Sequence, residues 1–594
     1  MSEEEKIKKL EKIRQELSSL PAGYLSRKVI AGKERYYLQW NEDGKKRSKY
    51  VPSPLVDELR AQIKRRKELK AEEAKLSLLS HGGKKIGLDL RCNVLAGEAL
   101  RQYALSAAPF KRRGLFDSLS LFLHGQSTDK VAVLYGLRRT GKTTLIRQLI
   151  LSLGEDDFKR AAFFQIDQGL TMAKVNADLR SLYEKGYRYI FLDEVTLMKD
   201  FIDGAALFSD VFAPLGMKIF LSGTDSLSFY FSQSDQLYDR AELFHTTFIP
   251  YREFERVLGV KGIDEYIRYG GTMSLGGRDY NKNSPFAREG LTKEYLDSAI
   301  ARNITHSLAH YQGGAHFRAL SDFYQNDELV SAINRVVEDM NHRFTLNVLR
   351  RDFLSSDLAL SARNLRNDRE EPNDILDRID EESFTLRLKE RLEILNADER
   401  SVPIEEAAAE QIKEYLRLLG LIDEIEVASL PSGSKKRYRA VFSQPGLRYA
   451  QAEAFARSLL EDETFFSLPL EKRKAVLSRV LSEIRGRMME EIVLLESKMG
   501  NPGKEVFQLQ FASGEFDMVI FDEESSSCEV YEIKHSEKIA KEQYRHLIDE
   551  DKLEKTAWRY GKITRRAVIY RGEATKLDNG IEYLNVEDYL KSLD

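Results

Sequence analysis

The sequence contains 594 residues, more than one hydrophobic core usually serves, and therefore predicts a chain of several domains. Apolar residues make up 42% of it and charged residues 31%, an ordinary mixture for folded proteins that argues against a disordered chain. The 92 basic and 95 acidic residues nearly cancel to a net charge of −3, which neither demands nor excludes a nucleic-acid partner.

The cysteine count and the hydropathy pattern indicate the cellular compartment. Cys92 and Cys528 are the only cysteines and lie far apart, which argues against a disulfide framework or a zinc site. The first residues lack an apolar signal region, and no uncharged apolar run is long enough to cross a bilayer. We therefore expect a cytoplasmic protein without a membrane partner.

The first 80 residues predict a small basic module. Residues 3–19 have the spacing of an amphipathic helix, and short antiparallel strands are predicted at residues 25–30, 35–40 and 46–51. Aromatic residues such as Tyr37 and Trp40 alternate there with lysines and arginines, which suits a nucleic-acid surface or a solvated sheet with an aromatic core. The module resembles the small strand-rich amino-terminal domains of phage integrases, which favours a DNA partner.

A phosphate-binding loop follows the apolar strand predicted at residues 131–135. It consists of Gly136, Leu137, Arg138, Arg139, Thr140, Gly141, Lys142 and Thr143. Backbone amides of such a turn point at phosphate oxygens, and a helix that begins at Lys142 and contains Thr144 follows it. Lys142 would contact the β- and γ-phosphates, and the Thr143 hydroxyl would help to coordinate Mg²⁺. The loop therefore predicts ATP as a ligand.

A second apolar strand delivers two carboxylates at its carboxyl end, where ligands bind in open α/β sheets. Asp193 would hold the magnesium ion through a water molecule, and Glu194 would orient and deprotonate the attacking water. The pair therefore predicts an ATPase. Strands are predicted at residues 161–166, 188–192, 218–222 and 244–250, with helices between them, which indicates a parallel sheet covered on both faces.

Two further positions in this part are candidates for assisting hydrolysis. Thr224, or its rival Ser222, follows the strand at residues 218–222 and could sense the γ-phosphate. Arg240 could stabilise the charge of the transition state in cis or in trans, or it could form a surface ion pair. A homo-oligomer or a protein partner is left open.

The region after residue 255 is mainly helical and charged, with an exposed loop expected at residues 366–382. A helix at residues 405–420 followed by strands at residues 421–428 and 436–442 suggests a winged helix. Such a module could bind DNA or serve as a lid on the ATPase.

The carboxyl-terminal part carries an acidic constellation. Glu490 lies on a predicted helix, Asp517 on a strand, and Glu532 and Lys534 on one face of the next strand. Oxygen ligands from Glu490, Asp517 and Glu532 suit magnesium, and a nearby lysine can position water and steady phosphate charge. The group predicts phosphodiester cleavage, although chance ion pairs on a hairpin are the alternative. His535 should face the opposite side of the sheet.

Two family resemblances follow from these motifs. The loop YGLRRTGKTT at 135–144, LDE at 192–194, SGTDS at 222–226, PYREF at 250–254 and YGG at 269–271 resemble a prokaryotic superfamily of P-loop ATPases that is AAA+-related and close to the STAND signalling ATPases. The resemblance implies a nucleotide switch whose lid moves with hydrolysis. Glu490, Asp517, Glu532 and Lys534 resemble the PD-(D/E)xK nuclease fold, which often places a polar residue where Gln543 and Tyr544 stand.

We therefore predict a multidomain α/β chain. Its parts are a basic β module (1–80), a P-loop ATPase core of the ASCE type (86–255), a helical and winged-helix-like lid (256–450) and a restriction-endonuclease-like domain (451–594). The first functional hypothesis is an ATPase that controls a magnesium-dependent nuclease acting on DNA, in phage defence or mobile-element biology. The alternative is a signalling or scaffold ATPase whose nuclease-like domain is inactive and only binds nucleic acid or protein.

Overall fold

The computed structural model describes residues 90–125, 129–167, 169–198, 200–224, 237, 239–271, 317–326, 328–354, 404–430, 437–459 and 469–593, with residues 21, 24–30, 33–42, 45–56, 58, 59, 62, 65 and 66. The helix expected at residues 3–19 and the loop expected at residues 366–382 lie outside these ranges. The chain divides into two compact units, residues 1–89 with 95–102 and residues 90–94 with 103–594.

The first unit contains a three-stranded antiparallel sheet. Its strands, in spatial order, are β1 (Tyr24–Ile30), β2 (Lys33–Glu42) and β3 (Lys45–Val51), followed by a 3-10 turn at Ser53–Leu55. Ile30 pairs with Lys33 and Glu42 pairs with Lys45, so both hairpins are paired up to their turns. The three predicted strands are confirmed, with longer bounds.

The second sheet has six strands in the order β4-β6-β7-β8-β5-β9. They are β4 (Asn93–Ala96), β5 (Val131–Tyr135), β6 (Ala161–Gln165), β7 (Tyr189–Asp193), β8 (Lys218–Gly223) and β9 (Ala241–His245). β5 lies between β8 and β9 and runs parallel to both, and β6, β7 and β8 are parallel neighbours. Because most of these side chains are buried, the sheet is covered on both faces, as the apolar runs predicted.

One strand of this sheet differs from its predicted range. The strand expected at residues 244–250 is β9, which ends at His245. Its pairing with β5 begins where Val131 N–H donates to Arg240 O and ends where Thr246 N–H donates to Tyr135 O. The apolar residues after it leave the sheet and enter a different core, which the hydropathy pattern could not distinguish from a strand.

Helices separate these strands along the chain and follow the last of them. They are α1 (Gly97–Leu105), α2 (Leu115–His124), α3 (Lys142–Ser152), α4 (Glu155–Phe158), α5 (Met172–Glu184), α6 (Phe201–Gly204), α7 (Tyr251–Leu258) and α8 (Ile263–Tyr269), with a 3-10 turn at Val195–Leu197 and a π-helical turn at Phe208–Phe212. α3 begins at Lys142, as predicted, because Gly141 ends the loop in the left-handed region. No helix among the described residues is long and apolar enough to cross a membrane.

Between α8 and residue 460, the described residues form the helices α9 (Arg318–Gln325), α10 (Leu329–Leu354), α11 (Glu406–Leu418) and α12 (Pro445–Leu459). Buried residues of α9, α10 and α11 form one core, and Leu137 of the phosphate loop packs into it. A side chain of the predicted ATP site thus contacts the region that we expected to be a lid.

The third sheet has eight strands in the order β11-β10-β12-β13-β14-β15-β17-β16. They are β10 (Ile422–Ser429), β11 (Arg437–Phe442), β12 (Glu505–Gln510), β13 (Glu515–Asp522), β14 (Ser527–Lys534), β15 (Lys562–Tyr570), β16 (Thr575–Lys576) and β17 (Glu582–Asn585). β10 and β11 form the predicted hairpin, but β10 also runs parallel to β12. The hairpin is therefore part of this sheet and not the free wing of a winged helix, and the boundary drawn at residue 450 divides a continuous sheet.

Three helices and a 3-10 helix complete this part: α13 (Leu470–Gly500), the 3-10 helix Lys541–Ile548, α14 (Glu550–Tyr560) and α15 (Val586–Lys591). The long α13 packs against the third sheet and shares one buried core with α7 and α8. Residues before and after position 450 are therefore buried in the same hydrophobic core. Gln543 and Tyr544 lie in the 3-10 helix and not in an α-helix.

Candidate nucleotide site and carboxylate site

The phosphate loop has the backbone that its glycines predicted. Gly136 has φ 135°, Arg139 φ 65° and Gly141 φ 93°, so the chain turns sharply between β5 and α3. A Cβ atom on Gly136 would lie 2.4 Å from the carbonyl oxygen of Thr246, which leaves room for glycine alone. Arg138 is exposed, and Thr144 lies in the first turn of α3.

Lys142 is held inside the loop. Its ammonium group donates hydrogen bonds to the carbonyl oxygens of Gly136 (2.7 Å) and Leu137 (2.8 Å). Burial lowers the pKa of Lys142 to about 8, against the opposing charges of Glu194 and Asp193. The lysine therefore lies where a β- or γ-phosphate oxygen can replace a backbone carbonyl as its partner.

Asp193 and Thr143 meet as the motif predicted. Thr143 Oγ1 donates to Asp193 Oδ2 at 2.9 Å, and the Ser222 hydroxyl donates to Asp193 Oδ1. These hydroxyl and carboxylate oxygens are hard ligands of the kind that magnesium takes in nucleotide sites, so the residues present fit the ion.

Glu194 lies beside them at the start of the 3-10 turn, with φ 61°. Thr224 Oγ1 donates to Glu194 Oε2 at 3.2 Å, so of the two rival hydroxyls Thr224 contacts Glu194 while Ser222 contacts Asp193. Burial raises the pKa of Glu194, and the charge of Lys142 opposes that shift. A raised pKa brings a carboxylate closer to the range in which a general base works.

Arg240 forms the ion pair that was the alternative to an arginine finger. Its Nε lies 3.1 Å from Asp210 Oδ1, and both side chains are about half exposed. An ion pair as exposed as this one contributes little to the stability of the fold. Arg240 therefore stays a candidate for the transition state, in cis or in trans.

In the third sheet, Lys534 joins two of the predicted carboxylates. Its Nζ lies 2.7 Å from Asp517 Oδ2 and 2.6 Å from Glu532 Oε2. Asp517 Oδ2 also accepts a 2.8 Å hydrogen bond from the backbone N–H of Ile533. The predicted convergence of an aspartate, a glutamate and a lysine from neighbouring strands is thus present.

The protonation of this cluster follows from its burial. Burial raises the pKa of Glu532 well above its ordinary value. Burial also opposes ionisation of Asp517, but the charge of Lys534 and the N–H of Ile533 hold the pKa of Asp517 below its ordinary value. The two carboxylates raise the pKa of Lys534, against its burial. Lys534 is therefore a cation at neutral pH.

Glu490 does not complete a three-carboxylate set. Its side chain is paired with Arg487, one turn away on α13. Among the residues that the structure describes, no group of three or more histidine, cysteine, aspartate or glutamate side chains could hold a metal ion. The predicted metal set of Glu490, Asp517 and Glu532 is corrected to two neighbouring carboxylates, because a local arginine holds the third.

Two carboxylates still fit a magnesium ion, which keeps several of its waters. Glu532 Oε1 is buried and accepts no hydrogen bond from the described residues. An unsatisfied buried carboxylate oxygen is costly, and a cation would satisfy it.

Polar contacts join α8 to the carboxyl-terminal part. His535 Nε2 lies 3.0 Å from Asp264 Oδ1, and Arg571 lies 2.8 Å from the other oxygen of Asp264. The backbone N–H of Ile263 donates to Glu587 at 3.0 Å. His535 is separate from the carboxylate cluster, as predicted, but its partner lies on α8, which sequence spacing could not reveal.

The fold and the first site together define a P-loop nucleotide-binding protein. The strand order places β5, which leads into the phosphate loop, between β8 and β9. Asp193 ends β7, on the far side of β8, and contacts Thr143 of the loop. In agreement, the model of a family described as an AAA domain matches residues 128–255. The chain therefore contains an AAA-type ATPase domain. A family described as a domain of unknown function matches residues 2–61, and no curated protein matches the chain.

Proposed function

We propose that this chain is an ATP-hydrolysing, STAND-like switch that controls a magnesium-dependent nuclease site acting on DNA. The observation that carries the nuclease half is the placement of Lys534 between Asp517 and Glu532, 2.7 and 2.6 Å from their oxygens. Asp517 and Glu532 are buried and Lys534 is about a third exposed, and two buried acidic side chains are expensive unless they serve a cation or a ligand.

ATP hydrolysis is the first half of the proposal. Lys142 and the loop amides would hold the phosphates, and Thr143 with Asp193 would hold magnesium. Glu194 would accept a proton from the attacking water, aligned by the Thr224 hydroxyl at 3.2 Å. The raised pKa of Glu194 supports the role of a base, because it increases the affinity of the carboxylate for that proton.

DNA cleavage is the second half. Asp517 and the unsatisfied oxygen of Glu532 would hold magnesium, which lowers the pKa of bound water and neutralises charge on the phosphate. Lys534 would then exchange a carboxylate partner for the scissile phosphate and stabilise its developing negative charge.

Control of one site by the other is supported by α7 and α8. Both helices follow the nucleotide sheet directly, and α8 carries Asp264, the partner of His535. His535 follows Lys534 in the chain, so a displacement of α8 would act on the end of β14. The basic amino-terminal module would help to dock DNA, and the whole would suit phage defence or mobile-element biology in the cytoplasm.

A second candidate is a nucleotide-controlled scaffold whose nuclease-like domain only binds. The ion pair between Glu490 and Arg487 favours it, because that pair withholds the third carboxylate from a metal. Both candidate functions include the same ATP chemistry. They differ in the role of Lys534, which only the nuclease needs for DNA cleavage.

The test uses the purified full-length chain and supercoiled plasmid DNA with Mg²⁺ or Mn²⁺, with and without ATP. We expect metal-dependent nicking that Lys534→Ala and Asp517→Asn abolish while ATP turnover stays within about twofold. Lys498→Ala is the matched control, since Lys498 also pairs with a carboxylate, Asp423 at 3.0 Å, outside the cluster. Absence of nicking by the wild-type chain under all conditions would leave the scaffold as the function.

A further inference from the structure

Arg113 is a buried arginine that belongs to neither the phosphate loop, the Asp193–Glu194 strand end nor the carboxylate cluster. It lies two residues before α2, and its side chain is only 4% exposed. A buried guanidinium is costly to desolvate and is retained where its N–H groups all find acceptors.

The acceptors of Arg113 come from three separate segments. Its Nε donates to Glu253 Oε2 at 2.6 Å, and its Nη1 donates to the carbonyl oxygens of Thr140 (2.8 Å) and Thr247 (3.2 Å). Its Nη2 donates to the carbonyl oxygen of Phe248 at 3.1 Å. One side chain therefore holds the phosphate loop, the segment after β9 and helix α7 together.

Glu253 fixes the guanidinium in place. While its Oε2 accepts from Arg113, its Oε1 accepts from the backbone N–H of Gly114 at 3.0 Å. A carboxylate that holds both the side chain and the next backbone amide leaves the arginine little freedom to rotate. Glu253 is the glutamate of the PYREF stretch, so this contact gives that stretch a physical role.

The contact with Thr140 bears directly on phosphate binding. The peptide between Thr140 and Gly141 is planar and trans, so its C=O and its N–H point in opposite directions. Fixing the Thr140 carbonyl against Arg113 thus turns the Gly141 N–H away from Arg113. The Thr140 hydroxyl secures the same turn by donating to Leu137 O at 2.8 Å.

We propose that Arg113 is a positioning residue for the triphosphate of ATP. Through the Thr140 carbonyl, Arg113 orients the Gly141 amide toward the phosphates, and Glu253 keeps the guanidinium in position. This role concerns ATP binding alone and does not depend on the nuclease half of the proposed function.

Arg113→Lys tests the proposal, because lysine can keep the ion pair with Glu253 but cannot reach all the carbonyls. We expect the KM for ATP and the inhibition constant of inorganic triphosphate to rise about tenfold, with kcat within about threefold. The KM should change while kcat does not, because loop amides bind phosphate equally in the ground and transition states. Glu253→Gln, which weakens the hold on the guanidinium, should raise both constants about threefold.

Arg188→Lys is the matched control. Arg188 lies in the same domain and donates to two backbone carbonyls, of Tyr183 (3.1 Å) and Tyr187 (2.7 Å), without contacting the loop. The Arg188→Lys substitution should leave the KM for ATP unchanged. Binding of a fluorescent ATP analogue and the melting temperature without nucleotide are measured in parallel, so that the result does not depend on catalysis.

A wild-type KM, analogue affinity and triphosphate inhibition in Arg113→Lys would overturn the proposal. So would a fall in melting temperature without any change in affinity, which is the signature of a purely structural arginine. If Arg113→Lys does not fold, Glu253→Gln decides by the same criterion. Wild-type chain that binds the analogue without hydrolysing it would refute the proposed ATPase but not this role.

Discussion

The side chain of Glu496 accepts a 2.7 Å hydrogen bond from the backbone N–H of Tyr251. Glu496 lies on α13, the helix that also carries Glu490, whereas Tyr251 is the first residue of α7 and lies within the AAA match. Both residues are buried in the core that α7, α8 and α13 share. The helix behind the carboxylate cluster is therefore tied to the ATPase domain by a buried polar contact as well as by apolar packing.

The burial of Glu496, which the hydrogen bond from Tyr251 only partly offsets, makes stability depend on pH. Burial raises the pKa of Glu496 from its ordinary value of 4.5 to about 7. The folded chain therefore keeps this proton when the unfolded chain has released it, and the group's contribution to stability is lost as pH rises from about 4.5 to about 7. Glu496→Gln keeps an acceptor for Tyr251 and removes the titration. Its melting temperature minus that of the wild type should be larger at pH 8 than at pH 5.5, and an equal difference at both would refute the assignment.

Glu194 and Lys142 should separate hydrolysis from binding. Glu194→Gln removes the proposed base but leaves the loop intact, so ATP affinity should stay near that of the wild type while turnover falls by about 100-fold or more. Lys142→Ala removes the buried cation at the phosphates and should abolish both. Equilibrium binding of labelled ATP and phosphate release measure the two effects. A turnover rate of Glu194→Gln equal to that of the wild type would exclude it as the base.

Gly136→Ala should disable the loop for a steric reason. Its φ of 135° is unfavourable for alanine, and the new Cβ would lie 2.4 Å from the carbonyl oxygen of Thr246. ATP affinity should fall at least about tenfold, with a lower melting temperature. Gly154→Ala is the matched control, because a Cβ there meets nothing within 4 Å and its φ is −61°. Equal behaviour of the two variants would contradict the loop geometry.

Asp264→Asn should uncouple the two sites of the proposed function. It weakens the contact between α8 and His535 without touching either site, so ATP turnover should persist while nicking should become the same with and without ATP. The comparison is with Asp423→Asn, which breaks the ion pair with Lys498 instead. If nicking by Asp264→Asn responds to ATP as it does in the wild type, the contact of α8 with His535 does not couple the two sites.

The pair Arg448 and Glu491 should be costly to break. Both side chains are buried and hydrogen-bonded to each other, and Arg448 Nε also donates to Asn341 at 3.0 Å. Arg448→Met leaves Glu491 buried without this partner, a change that costs about 3–5 kcal/mol. Arg457→Met breaks the exposed pair with Glu453 and should cost about 0–1 kcal/mol. Urea unfolding compares the two, and similar midpoints would refute the buried-pair argument.

Much of the nucleotide site was predictable because its parts are local in the chain. The strand β5, the loop glycines and the start of α3 are consecutive residues whose backbone conformations the residue types themselves favour. The meeting of Thr143 with Asp193 followed from one further rule, that parallel strands deliver their carboxyl ends to a common edge. Alternation along β14 likewise placed Glu532 and Lys534 on one face.

The sequence by itself thus determined a P-loop ATPase sheet, the acidic strand end that carries Asp193 and Glu194, and a hairpin that gathers Asp517, Glu532 and Lys534. Only the tertiary structure decided that β10 and β11 extend the third sheet, that Arg487 holds Glu490, and that Arg113 supports the loop. The physical reason is that these contacts depend on competition among partners. A hairpin with a free edge pairs with whichever strand packing brings beside it, and a buried charge pairs with whichever group lies closest. Local residue patterns predict neither the partner of the strand edge nor the partner of the buried charge.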